Sequence, residues 1–218
     1  MKTLNVPFIE NLENMSADAL GSVLTAEGAH DTIESVAWDE YPYRPEVSFD
    51  IAASNTYLFV QYHVKSLGLK AEFGKTNEPV WQDSCVELFI GDRDGVGYRN
   101  FEVNCIGTLL SAHQNSRGVD VVPVTDREAD SVIRYPSLPH ETFLEKDGEH
   151  LWSLILGVPF ALLGYENRPE SLRANLYKCA DGSRWMHYVS WSPIDTPHPD
   201  FHRPDFFGKL IIEPQKLK

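Results

Sequence analysis

The sequence predicts an all-β protein: an antiparallel β-sandwich of the jelly-roll or immunoglobulin-like kind, with few short helices, in a single domain over residues 1–218. Three observations predict it. Apolar and polar residues alternate with period two through much of the chain, as they do on a half-buried strand. Turn-forming residues, 14 Gly and 14 Pro among them, interrupt the chain at short intervals. Aromatic residues make up 11%, and they favour strands.

The N-terminal stretch, residues 1–25, is mixed, with Ser16-Ala17-Asp18-Ala19-Leu20 reading as a helical turn capped by Ser16. Residues 38–46, WDEYPYRPE, hold two prolines and three aromatics, which predicts an extended loop feeding a strand. Val47 to Ile51 and Thr56 to Val64 then alternate, with Leu58, Val60, Tyr62 and Val64 on one face. Ser84 to Ile90 follows, with Val86, Leu88 and Ile90 on one face and Cys85, Glu87 and Phe89 on the other. The turn Gly91 to Gly97 leads into Tyr98 to Cys105, where Tyr98, Asn100, Glu102 and Asn104 share a face. Gly107 to Ala112 reads as a further strand, with weaker ones near Val119–Val124 and Ser131–Tyr135. Leu151 to Gly157 reads as a buried strand, and Pro159 to Leu163 as a helical turn with Pro first. Leu172 to Cys179, Trp185 to Trp191 and Phe207 to Ile212 complete the strands, the last two separated by a proline-rich loop from Ser192 to Pro204. Disorder is expected only at the chain ends.

Composition narrows the function. A chain of 218 residues with 42% hydrophobic and 23% charged residues buries a core without staples. Its net charge of −13 repels phosphate, so neither nucleic acid nor an anionic membrane surface is an expected partner. The greasiest run, Leu151 to Val158, is far too short to insert into a membrane. The oligomeric state is left open. Cys85, Cys105 and Cys179 are odd in number and widely spaced, which predicts buried thiols in a reducing compartment. Met1 to Glu10 has no apolar segment after its lysine. The expectation is therefore a cytoplasmic protein, unless a leader has been removed.

Three segments carry chemistry. In Trp81-Gln82-Asp83-Ser84-Cys85-Val86-Glu87 an indole precedes a strand bearing a carboxylate. The apolar face of a pyranose stacks on such a ring while its hydroxyls need charged or amide partners. The alternative is a Trp81 that caps the core and a Glu87 that faces solvent. The polar face Tyr98, Asn100, Glu102, Asn104 suits either a wet sheet surface or a cleft that reads hydroxyls. The loop 191–208 holds His198, Phe201, His202 and Arg203 between prolines, a rigid setting for binding residues. The prolines forbid the helix that would put His198 and His202 on one face, so no zincin-like site is expected. Asp92-Arg93-Asp94-Gly95 lacks the later Glu of a calcium loop and reads as a hairpin turn.

Taken together, in this order, Trp81…Asp83-Ser84-Cys85-Val86-Glu87-Leu88-Phe89-Ile90, Tyr98…Phe101-Glu102-Val103-Asn104…Gly107 and Phe201…Pro204…Phe207-Gly208-Lys209-Leu210 resemble the family 9 carbohydrate-binding module and its DOMON-like relatives. The resemblance implies a β-sandwich that holds the end of a sugar chain between two aromatic side chains, with polar groups on its hydroxyls. On that resemblance Trp81 is the first aromatic wall, Glu87 the carboxylate and Asn104 the strand amide. Glu102 stands where sugar binders of the family can carry Arg. Phe201 matches the second wall, His198 a nearby amide position, and His202 lies beside them. The resemblance implies no cofactor. The family can hold structural calcium, for which no ligand set carries over. Haem, bound by some of the DOMON-like relatives, is disfavoured, because Met186 and His187 point to opposite faces of a strand. The expected function is noncatalytic carbohydrate binding by Trp81, Glu87, Glu102, Asn104, His198, Phe201 and His202. The alternatives are a glycoside hydrolase using Glu87 and Glu102, or an interaction sandwich whose site has degenerated.

Overall fold

The protein, described here over residues 1–215 by a computed structural model, folds as two sheets packed face to face. In chain order the elements are β1 (Thr3–Val6), α1 (Ala17–Glu27), β2 (Ala29–Thr32), β3 (Glu46–Ala53), β4 (Tyr57–Ala71), β5 (Cys85–Gly91), β6 (Tyr98–Asn104), β7 (Leu109–Gln114), β8 (Val122–Pro123), α2 (Asp126–Ser131), β9 (Ile133–Pro136), β10 (Phe143–Pro159), β11 (Ser171–Cys179), β12 (Tyr188–Ser190) and β13 (Gly208–Ile212). The larger sheet runs β1-β13-β11-β5-β6-β7-β8, with β12 also on β11. The smaller runs β2-β3-β4-β10-β9. All pairings within them are antiparallel except β1 with β13, which is parallel.

The period-two patterns place the core. Val86, Leu88 and Ile90 of β5, Phe101 and Val103 of β6, and Leu172, Ala174 and Leu176 of β11 face Leu58, Val60, Tyr62 and Val64 of β4 and Trp152, Leu154, Leu156 and Val158 of β10. Burying each such aliphatic side chain contributes roughly 1.5–3 kcal/mol. The opposite faces are also covered. Leu20 and Leu24 of α1 pack on Ala52, Phe59 and Ile155, the outer face of the smaller sheet. On the larger sheet, Cys85, Phe89, Tyr98, Tyr177 and Cys179 form a second cluster with Trp38, Val80, Ile194, Phe201 and Phe207. The loops therefore lie against this sheet as a third layer.

Several elements differ from expectation. β1 forms in the stretch read as mixed and corrects the expectation of a disordered N-terminus, and β2 forms where no element was expected; the expectation for the C-terminal end lies, at residues 216–218, outside the described residues. The helical turn at Ser16 is three turns of helix, capped by the Ser16 hydroxyl, which accepts from the Ala19 amide. Ser131–Tyr135 divides into the end of α2 and strand β9. β4 and β10 continue past their apolar runs into a long antiparallel ribbon, Lys65–Ala71 against Phe143–Leu151, with two register shifts. The tight backbone approach expected at Gly208 is present: a Cβ there would lie 2.5 Å from Trp191 Cζ3 and 2.9 Å from the Lys2 carbonyl oxygen.

Candidate functional site

On the outer face of the larger sheet, between its strands and the covering loops, lies a cleft of about 360 Å³. Its floor is strand face: Glu87 from β5, Asn100 and Glu102 from β6, Leu110, Ala112 and Gln114 from β7, and Cys179 from β11. Trp81, Asp181 and Tyr188, with Pro199, Asp200, Phe201 and His202 from the proline-rich loop, complete its lining. A larger groove of about 780 Å³ lies on the smaller sheet, lined by Arg44, His63, Lys65 and Trp152 among others. It carries none of the residues expected to form a site.

Five of those residues meet in the cleft: Trp81, Glu87, Glu102, Phe201 and His202. Trp81 is not sunk in the core; it is 38% exposed. It sits in a single 3-10 turn, Val80–Gln82. That turn is fastened to the β11–β12 turn, because the Trp81 and Gln82 carbonyls accept from the amides of Asp181 and Gly182 at 3.1 and 3.0 Å. The turn's other support is Asp83, whose carboxylate accepts from the amides of Glu72 and Phe73.

Phe201 is only 9% exposed. It stacks on Tyr177 with centroids 4.2 Å apart and planes 9° from parallel, and the Tyr177 hydroxyl donates to the Phe201 carbonyl at 3.0 Å. The loop that carries it is pinned again where Trp38 Nε1 donates to the Thr196 carbonyl at 2.8 Å. Tyr188 lies edge-on to Phe201, with centroids 5.9 Å apart, and is the less buried of the two rings. His202 Nδ1 lies 2.8 Å from the Tyr98 hydroxyl and 3.3 Å from Gln114 Nε2. Burial and the Arg117 charge push the His202 pKa down to about 4, so its ring is neutral at neutral pH.

Two expected residues stay outside. Asn104 is fully buried, and its polar atoms are committed: Nδ2 donates to the Phe73 carbonyl and Asp83 Oδ2 at 2.8 and 2.9 Å, and Oδ1 accepts from the Thr108 amide. It holds the loop that carries Trp81 and does not border the cleft. His198 is exposed and does not line the cleft; its carbonyl accepts from Thr196 Oγ1.

The floor is a carboxyl cluster. Glu87 and Glu102 are directly opposite across β5 and β6, which puts their Cβ atoms roughly 4.5–5.5 Å apart. Glu87 Oε1 accepts from Cys179 Sγ at 2.9 Å, and Glu102 Oε1 from Asn100 Nδ2 at 2.9 Å. Burial, and then the Glu102 charge, push Glu87 well above the usual carboxylate range. Burial pushes Glu102 up to about 7 despite the Asn100 hydrogen bond. Asp181 is pushed up to about 6 by burial, against a hydrogen bond from Tyr188. The thiols of Cys85, Cys105 and Cys179 are buried and free, and desolvation raises the pKa of each. Cys85, Glu87 and Cys179 bring their donor atoms within 4.8 Å of one another.

Sequence reasoning missed Gln114, Arg117, Asp181 and Tyr188 as cleft residues. Gln114 lies one strand beyond the polar face of β6, and Arg117 reaches the cleft rim only through its ion pair with Asp200 at 3.2 Å. The alternation that placed Glu87 and Glu102 on one face carries no information about residues in turns.

A β-sandwich with an aromatic and polar cleft on one sheet has the form of a noncatalytic carbohydrate-binding module. The family described as carbohydrate-binding family 9 matches residues 18–212, and the chain belongs to it. A protein from Bacteroides uniformis ATCC 8492, described as carbohydrate-binding, superposes with a TM-score of 0.92 at 33% identity, over 97% of this chain and 99% of its own. Two structures of a family 9 carbohydrate-binding module from Caldicellulosiruptor kristjanssonii share the fold. The complex with glucose has a TM-score of 0.63 at 10% identity, covering 99% of this chain and 97% of that one. The complex with cellotriose has a TM-score of 0.53 at 9% identity, covering 99% and 95%. No curated protein matches the chain.

Proposed function

We propose that the chain binds the end of a mono- or oligosaccharide in this cleft without chemically changing it. One observation carries the reading. The aromatic faces of Trp81, Tyr188 and Phe201 meet the carboxyl and amide groups of Glu87, Asn100, Glu102 and Gln114 around a single cavity. A sugar ring offers apolar C–H faces and a polar rim, and such a cavity accepts both. The module from C. kristjanssonii, captured with glucose and with cellotriose, supports the reading at the level of fold. His202 and the polar floor serve as hydrogen-bonding partners, with Trp81 as the main stacking surface. Calorimetric titration with glucose, cellobiose and cellotriose tests the proposal. Heat of binding is expected, with Trp81→Ala weakening it by about tenfold or more while far-UV circular dichroism stays unchanged. The absence of heat with any mono- or oligosaccharide would overturn it.

A hydrolytic reading has an observation in its favour, since both Glu87 and Glu102 line the cleft and both are buried. A glycosidase, however, needs two carboxyls that flank the scissile bond. Here they stand side by side on one sheet face, paired across adjacent strands. They meet a ligand from the same side, so we assign them to binding. Aryl glycosides are expected to remain intact with the protein.

A further inference from the structure

The cleft gathers three acids besides Asp200 at its rim. Glu87 and Glu102, 2% and 4% exposed, face it from adjacent strands, and Asp181 joins them from the β11–β12 turn. One oxygen of Glu87 accepts from Cys179 and one of Glu102 from Asn100. The second oxygen of each has no hydrogen-bond partner among the described residues. Among the described residues the only cationic side chain lining the cleft is Arg117, and it pairs with Asp200 at the rim. Lys178 is nearby but inaccessible. It lies on the core face of β11, with Nζ held by the Cys179 carbonyl at 2.6 Å and His187 Nε2 at 2.9 Å. A buried carboxyl with no cation beside it keeps its proton, and an ammonium brought into the adjoining open space favours its charged form.

Resting on the sugar-binding reading above, we infer that the preferred ligand is a sugar that carries a free amino group, an amino sugar whose ammonium sits between Glu87 and Glu102. The aromatic walls favour this class twice over: they stack on the ring, and their π-faces attract a nearby cation. The ammonium supplies three donors, enough for the free oxygens of both glutamates. Burial is the main cause of the raised carboxyl pKa values, with the Glu102 charge second at Glu87 and the Asp181 charge adding at Glu102; a cation entering between the two glutamates favours their charged forms. A hard divalent cation suits the cleft less well, because it takes six or more oxygen ligands, whereas this floor mixes carboxyls with Cys179 Sγ and apolar Leu110 and Ala112.

Calorimetric titration of the full chain at neutral pH with glucosamine, glucose and N-acetylglucosamine tests the inference. N-acetylation removes the charge and keeps the ring. Glucosamine is expected to bind about tenfold or more tightly than either neutral sugar. Glu102→Gln is expected to bring the ratio of glucosamine to glucose affinity close to one, and Glu87→Gln provides a second reading should that variant fold poorly. Glucose or N-acetylglucosamine bound as tightly as glucosamine by the wild type would overturn the amino-sugar assignment and leave the sugar-binding reading standing. Absence of heat with all three hexoses and with their trimers would overturn both.

Discussion

At the scale of single residues, the cleft is governed by where protons reside. Glu102 has its folded pKa raised to about 7 from an ordinary value of 4.5 by burial, with Asn100 opposing and Asp181 adding. Glu87 moves in the same direction for the same main reason. The groups facing Glu102 are Glu87 across the strand pair, Asn100 on its own strand, Asp181 in the turn, and the neutral His202 and Gln114 beyond. For a carboxyl with a raised folded pKa, the folded protein keeps a proton that the unfolded chain has already lost. Stability therefore falls as pH rises from about 4.5 through about 7. The melting temperature of the ligand-free wild type is expected to drop across that window by more than that of Glu102→Gln. Parallel slopes for the two proteins, measured by calorimetry, would show that Glu102 does not titrate as the geometry requires. Asp50 contributes in the opposite sense: burial raises it, but the hydrogen bonds and charges of His63 and His30 outweigh burial and lower its pKa. Its stabilisation is lost on acidification, so the comparison with Glu102→Gln isolates the cleft.

At the scale of elements, the cleft depends on how loops are tied to strands. Asn104, at the end of β6, connects that strand to the loop bearing Trp81 through Asp83 and the Phe73 carbonyl. Asn104→Ala leaves the Phe73 carbonyl and the Thr108 amide without their side-chain partner and removes one of the two donors to Asp83 Oδ2. It is expected to cost about 1–3 kcal/mol in chemical denaturation, and to weaken sugar binding although it touches no ligand. An unchanged denaturation midpoint would contradict this. The central strands were legible because their alternation is strict: Val86, Leu88 and Ile90 point to the core, and Cys85, Glu87 and Phe89 point away. The same alternation put Glu87 and Glu102 on the outer face. Asn104 shares that face but not the cleft, because the Phe73–Asp83 loop covers the end of its strand. The β4–β10 ribbon was harder to read, since exposed residues such as Lys146 and Glu149 obey no burial pattern and pair only because the core strands continue into them. Helix α2 did carry a readable signal, the Thr125 and Glu128 capping box, but it lies in a stretch dominated by turn-formers.

At the scale of the whole molecule, a ligand would meet a preformed surface. The larger sheet is covered on both faces, by the core on one side and by an aromatic layer of loops on the other. Tyr177, Phe89 and Tyr98 underlie Phe201 and His202, so the proline-rich loop rests on ring contacts rather than in solvent. Little ordering is then needed on binding, which favours affinity from a small contact area. At the far border of this sheet, β1 runs parallel along β13 through four paired positions, Thr3↔Lys209 to Val6↔Ile212. That short ribbon is a guard rail. Without residues 1–6 the backbone groups of β13 on that side become an open template, and a second molecule can dock there strand against strand. Light scattering on such a truncated chain is expected to show more self-association than on the intact chain, with the cleft, several strands away, unchanged.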